Sequence, residues 1–176
     1  MGYSSDGITW TVNTDPLVAA TVAAASGNMT SLAVGPAATA GTDIVAYSPD
    51  GINWTPSPSA KILLNVGCYT FGWNGAGWLA GGISTNGRNM IYSVDGTTWA
   101  YGGGSVPSGS VLGIAWSGGQ WVAVGTGSSP VAYSMNSTTW FTGTATGICT
   151  TSGNCVAWNG TRWVMGGIGG NTMAYS

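Results

Sequence analysis

The chain has 176 residues, of which 31 are Gly, 10 are Trp and only 5% are charged; it has no His and a formal net charge of −2. Its acidic residues are all Asp (Asp6, Asp15, Asp43, Asp50 and Asp95) and its basic residues are Lys61, Arg88 and Arg162. This excludes Ser-His-Asp and Cys-His catalysis, argues against a metal site or other cofactor, and leaves no basic footprint for nucleic acid.

From the N-terminus, the first signal is Tyr3-Ser4-Ser5-Asp6-Gly7-Ile8-Thr9-Trp10. The apolar run at 17–25 that follows is too short for a membrane helix and lacks the basic flank of a signal peptide, so no membrane partner is expected. The opening signal returns as Tyr47-Ser48-Pro49-Asp50-Gly51-Ile52-Asn53-Trp54 and as Tyr92-Ser93-Val94-Asp95-Gly96-Thr97-Thr98-Trp99. A worn copy is Tyr133-Ser134-Met135-Asn136-Ser137-Thr138-Thr139-Trp140, and a fifth begins at Tyr175-Ser176. Between these copies lies a second motif, Trp73-Asn74-Gly75-Ala76-Gly77-Trp78, matched by segments 116–121 and 158–163 and followed by a short apolar stretch ending in Gly, such as Val122-Ala123-Val124-Gly125.

Self-similarity at a period of this length is the mark of a repeat architecture. Each unit reads as four strands, in the third unit roughly 111–117, 120–126, 130–135 and 138–144. Asn-Gly or Ser-Gly joins strands one and two, and Asp-Gly joins strands three and four, pairs that suit two-residue hairpins because Gly, Asn and Asp accept positive φ. No apolar spacing of 3.6 residues points to helix. A lone unit would expose both faces of a small sheet, and radial packing against neighbours buries them. The expected fold is all-β: a β-propeller of four-stranded antiparallel blades, about four repeats per chain, closed alone or as an oligomer. Residues 1–176 form a single domain, with repeat units at roughly 11–55, 56–100, 101–141 and 142–176 plus 1–10.

The Tyr-Ser-x-Asp-Gly-x-Thr-Trp segments resemble the Asp-box, or BNR repeat, of sialidase-like propellers and their non-catalytic relatives. The usual pattern is Ser-x-Asp-x-Gly-x-Thr-Trp, and here Asp6, Asp50 and Asp95 stand one residue closer to Gly. The resemblance implies that the box lies on the hairpin between strands three and four, away from the ligand face. It makes Asp6, Asp50, Asp95 and Asn136 turn formers whose oxygens take up turn amides, and one carboxylate per turn falls short of a calcium shell. A sialidase-like site would need three arginines and a Tyr–Glu pair. Only Arg88 and Arg162 exist and there is no Glu, so no enzyme is expected.

In propellers the loops between strands two and three and those between blades share the usual binding face. Here these are 36–43, 84–89, 127–129 and 168–171, with inter-blade segments 11–18, 55–67, 100–110 and 142–154. They carry the candidate binding residues Asp43, Asn86, Arg88, Asn89, Tyr101 and Asn171, neutral amides beside aromatics that suit sugars. The ten Trp occupy repeat-locked positions and read as packing residues. Cys149 and Cys155 flank a turn-like stretch, where a disulfide and two unlinked small apolar residues are both open readings; Cys68 reads as buried and inert.

The primary functional expectation is a non-catalytic recognition module for glycans at a cell or particle surface, secreted, cell-surface or virion-associated. The alternative is a structural or assembly propeller, such as a fibre, virion or engineered repeat fragment, with no small-molecule ligand. The match between the two chain ends, Met1-Gly2-Tyr3-Ser4 and Met173-Ala174-Tyr175-Ser176, makes the first segment the missing fourth strand of the last repeat. It leaves open a ring closed by one chain, a self-associated ring of eight blades, and a segment of a longer array.

Overall fold

The structure, a computed structural model, describes residues 2–4, 6–14, 23–27, 30–34, 45–104 and 107–176. Among these residues it is all-β apart from one short helix. The chain opens on a small antiparallel pair, β1 (Gly2–Tyr3) and β2 (Thr11–Val12). The first sheet then runs β3 (Ala23–Gly27), β4 (Thr30–Val34), β5 (Val45–Ser48) and β6 (Thr55–Pro56). Helix α1 (Pro58–Leu63) leads to the second sheet, β7 (Gly67–Trp73), β8 (Trp78–Ile83), β9 (Met90–Ser93) and β10 (Ala100–Tyr101). After β11 (Gly103–Gly104) comes the third, β12 (Val111–Trp116), β13 (Trp121–Gly125), β14 (Val131–Ser134) and β15 (Thr139–Thr142). The fourth is β16 (Ile148–Trp158), β17 (Trp163–Gly170) and β18 (Met173–Tyr175). Every sheet is a meander whose neighbours in sequence are neighbours in space, and β11 adds in parallel to the outer edge of the third beside β15.

The turns between strands one and two form as their residues dictate. Trp73 pairs with Trp78 across a turn in which Gly75 takes φ +95°, while Asn74 Oδ1 accepts the Ala76 and Gly77 amides at 2.9 and 2.8 Å. The same turn returns at Gly118 (φ +97°) and Gly160 (φ +98°), between Trp116 and Trp121 and between Trp158 and Trp163. The Asp-Gly turns are wider than the two-residue hairpins expected. Tyr47 pairs with Thr55, so residues 48–54 all lie in the loop, and side chains rather than cross-strand amides hold it.

The Gly that closes each apolar stretch has a different cause. Strand one bulges between Cys68 and Thr70, between Val111 and Gly113, and between Gly153 and Cys155. A bulge pushes its backbone toward the partner strand. The residues paired there are Gly82, Gly125 and Gly167, and a Cβ at any of them would overlap the carbonyl oxygen of Gly67, Ser110 or Ser152 respectively.

Sheets pack face to face in a row. β3 lies against β7, β7 against β12, and β12 against β16. Between the first and second sheets, Val45 and Tyr47 meet Cys68, Phe71, Trp78, Ala80, Ile91 and Trp99, with Ala60 and Leu64 from α1 and its end sealing the layer. Between the second and third, Leu79, Met90 and Tyr92 meet Trp121, Ala123, Ala132 and Trp140. The side chains that recur with the period, above all Trp78, Trp99, Trp121 and Trp140, are therefore the buried ones. Among the described residues no comparable packing joins β16–β18 to β3–β6 or to β1–β2.

Three local readings change. The linker 55–67 holds a helix, nucleated by Pro58 at its first turn and fastened by Ser57 and Ser59 hydroxyls donating to the Thr97 carbonyl at 2.9 and 3.2 Å. Residues 148–154, expected in a loop, belong to β16, and residues 168–170 belong to β17, because these strands pair along nearly their whole length through two register shifts. Glycine positions test the architecture directly. Gly125→Ala should cost about 1–3 kcal/mol by forcing the bulged strand away, whereas Gly119→Ala, where a Cβ meets nothing within 4 Å, should stay within about 0.5 kcal/mol of the parent in urea titrations.

Candidate functional site

The repeated Ser–x–Asp–Gly turn is one self-contained hydrogen-bond device. At the first, Ser4 Oγ donates to Asp6 Oδ1 (2.9 Å) and accepts the Gly7 amide (2.8 Å), while Asp6 Oδ1 also accepts the Ile8 and Thr9 amides at 2.8 Å each. Ser48 and Asp50 repeat it, with Gly51, Ile52 and Asn53 amides all at 2.8 Å. Ser93 and Asp95 repeat it again, with Gly96 at 2.9 Å and Thr97 and Thr98 at 2.8 Å. Gly7, Gly51 and Gly96 take φ +73°, +74° and +76°, which L side chains resist.

The worn copy shows what the device needs. Asn136 Oδ1 still accepts the Thr138 and Thr139 amides at 3.1 and 2.8 Å, so an amide oxygen substitutes for the carboxylate. Ser137 occupies the left-handed position at φ +67° without being Gly. Its hydroxyl accepts the Trp121 indole N–H at 2.9 Å, a contact Gly could not make.

These amides explain the acidity of the turns. The Thr9 and Ile8 amides, then the Ser4 hydroxyl, bring the Asp6 carboxyl down to about 2. At Asp50 the Asn53 and Ile52 amides and the Asn53 side chain pull it well below the usual carboxylate range. At Asp95 partial burial pulls upward, but the Thr98 and Thr97 amides and the Ser93 hydroxyl together outweigh it. All three carboxylates are occupied within their own turns.

The loop candidates separate. Asn86, Arg88 and Tyr101 come together at one end of the second sheet. Asn86 Nδ2 donates to Tyr101 Oη at 2.7 Å, Tyr101 donates on to the Leu63 carbonyl at 3.1 Å, and the Arg88 guanidinium carbon sits 4.9 Å from the Tyr101 ring centre. The result is an exposed amide and guanidinium beside a half-buried aromatic face, tied to the end of α1. Asn89 leaves the candidate set. It is buried, its Oδ1 accepts the Ser84 amide at 3.0 Å, and its Nδ2 donates to the Gly109 carbonyl, so it fastens the 84–89 loop to the next linker. Asn171 is exposed on the fourth sheet, its backbone bridging Gly147 and Cys149. Asp43 lies outside the described residues.

Cys149 and Cys155 are both free thiols on β16, so no bridge links them. Cys149 is buried, and desolvation followed by the neighbouring Cys155 raises its pKa; Cys68 is enclosed, and burial pushes its thiol up to about 12. Cys155 is exposed.

Two features were not read from sequence. One is the second cation–aromatic contact, Arg162 over the Tyr175 ring at 5.2 Å. The other is a cleft of about 300 Å³ between the third and fourth sheets, reaching Tyr175 and Ser176 at the end of the chain.

No family model and no curated protein matches the chain. Among solved structures it is similar to the computationally designed Ika4 protein, with a TM-score of 0.64 at 10% identity over 89% of this chain and 90% of that one. It is also similar to the computationally designed Ika8 protein, with a TM-score of 0.58 at 8% identity over 85% of this chain, which spans only 43% of the Ika8 chain. These likenesses concern the fold.

Each turn carboxylate has a lower pKa folded than unfolded, so its stabilisation is complete above about pH 4 and is lost as the pH falls through the folded values. The melting temperature should therefore be flat from pH 5 to 8, there being no His, and drop from about pH 4 downward; Asp50→Asn should shrink that drop. Iodoacetamide should label a single thiol, Cys155, in the native chain and all three after unfolding.

Proposed function

We propose that this chain is a structural module: a non-catalytic, radial, propeller-like scaffold whose repeated polar chemistry is used to hold its own turns and linkers. The observation that carries this reading is the destination of the repeated polar groups. Asp6, Asp50 and Asp95 each give one oxygen to two amides of the same turn. Ser57 and Ser59 fasten one linker to the next sheet, and Asn89 fastens a loop to the next. Such groups stabilise and orient sheets but offer no general acid, base or nucleophile to a substrate. The likeness in fold to designed proteins is compatible with a scaffold role.

A second reading, a glycan-recognition module, has one observation in its favour. Asn86, Arg88 and Tyr101 form a preorganised patch of aromatic face, amide and guanidinium, the kind of surface on which a sugar ring stacks while its hydroxyls meet fixed donors. The two readings separate in a thermal-shift screen against neutral and acidic glycans at millimolar concentration. The scaffold reading expects no change in melting temperature. A glycan that raises it in the parent but not in Arg88→Ala would replace the scaffold with the recognition module, because a ligand stabilises only the state that binds it.

A further inference from the structure

We propose that strand β2 of a second copy exchanges its partner β1 for β18 and so completes the fourth sheet, with Trp10 as the side chain that fills the cleft between the third and fourth sheets. This rests on the scaffold reading and names its partner: another molecule of the same chain.

The cleft is a vacancy in a repeating pattern. In the layer between the second and third sheets, Trp140 lies with Met90 and Tyr92 on one side and Trp121, Ala123 and Ala132 on the other. One repeat further on, the equivalent residues are Val131 and Tyr133, and Trp163, Met165 and Ala174, and all of these line the cleft. Among the described residues the fourth sheet has three strands, and no Trp of its own stands in the place of Trp54, Trp99 and Trp140. Each of those three is buried. The remaining member of that set is Trp10, which is 65% exposed on the β1–β2 hairpin, flanked by exposed Ile8 and Val12.

The backbone is equally unfinished. Among the described residues β18 pairs with β17 alone, on one side. Among the described residues β2 pairs with β1 alone, through Gly2↔Val12 and Tyr3↔Thr11. In complete sheets the same register is Ala46↔Pro56 with Tyr47↔Thr55, and Ala132↔Thr142 with Tyr133↔Phe141. Met173-Ala174-Tyr175-Ser176 copies the pattern of Met1-Gly2-Tyr3-Ser4. β18 of one copy therefore takes the place of β1 in the other, giving Ala174↔Val12 and Tyr175↔Thr11.

At two joints the residue after the fourth strand reaches the turn of the next sheet: Asn13 Nδ2 donates to the Ile52 carbonyl at 3.1 Å, and Ser57 Oγ to the Thr97 carbonyl at 2.9 Å. The equivalent position before the fourth sheet is Gly143, which has no side chain and leaves this contact out of the proposed joint.

We assign the donor to a second copy because, among the described residues, the hairpin contacts the first sheet and not the cleft. Asn13 docks the hairpin on the first sheet, and the second and third sheets separate that sheet from the cleft. A head-to-tail joint made twice closes a twofold ring of eight sheets.

Native mass spectrometry reads the assembly, and a cross-link reads the joint. The wild-type chain should appear at twice its 17.6 kDa mass, and Trp10→Ala, which alters an exposed side chain within one chain, should shift the population to single chains. In a Cys155→Ser background, Thr11→Cys mixed with Tyr175→Cys should give an oxidised heterodimer. A single-chain mass for the wild type, a mass above two chains, or a Thr11→Cys/Tyr175→Cys double variant that cross-links within one molecule would each overturn the proposal. The scaffold reading fails by a different result, a glycan that raises the melting temperature, so the two failures are separable.

Discussion

A meander of five-residue strands has two apolar faces and no interior of its own, and everything else in this molecule follows from covering those faces. The solution is to lean each sheet on the next with a Trp at a fixed place in the layer. Trp99 seals the layer between the first and second sheets and Trp140 that between the second and third. Because burial of apolar area is the dominant favourable term and is nearly non-directional, the layers accept different partners at equivalent places, Met90 in one and Val131 in the next. The aromatic anchors and the narrow glycines opposite the strand-one bulges are the parts that do not vary.

Direction comes from polar contacts. Ser and Asp side chains replace the cross-strand amides that a seven-residue loop cannot supply, so the strand-three and strand-four ends stay aligned without a tight hairpin. The fourth copy shows that an amide oxygen takes up the same turn amides as a carboxylate, without the acid sensitivity that the charged versions carry. Linkers then cross to the following sheet and fasten to its turn, by a different device each time: Asn13, a short helix with Ser57 and Ser59, and the β11 strand beside β15.

Functional surface, on this plan, is confined to loops that the repeat does not constrain. The Asn86, Arg88 and Tyr101 patch belongs to the second repeat, whose 84–89 loop differs in sequence from the equivalent segments 36–43, 127–129 and 168–171. Asn89, three residues from Asn86 and of the same type, has the opposite fate, buried and spent on the neighbouring linker.

The strands, their order and the packing role of Trp54, Trp78, Trp99, Trp121 and Trp140 were legible in the sequence, because hairpin turns, positive-φ glycines and alternating burial are local and recur with the period; Trp10, read the same way, is exposed. The turn role of Asp6, Asp50, Asp95 and Asn136 was legible for the same reason, each bonding to amides within three residues. Helix α1, the full length of β16 and β17, the burial of Asn89 and the cleft beside Ala174 were not. Each depends on where a segment tens of residues away is placed, and that placement is set by the packing of whole sheets rather than by the residues of any one turn.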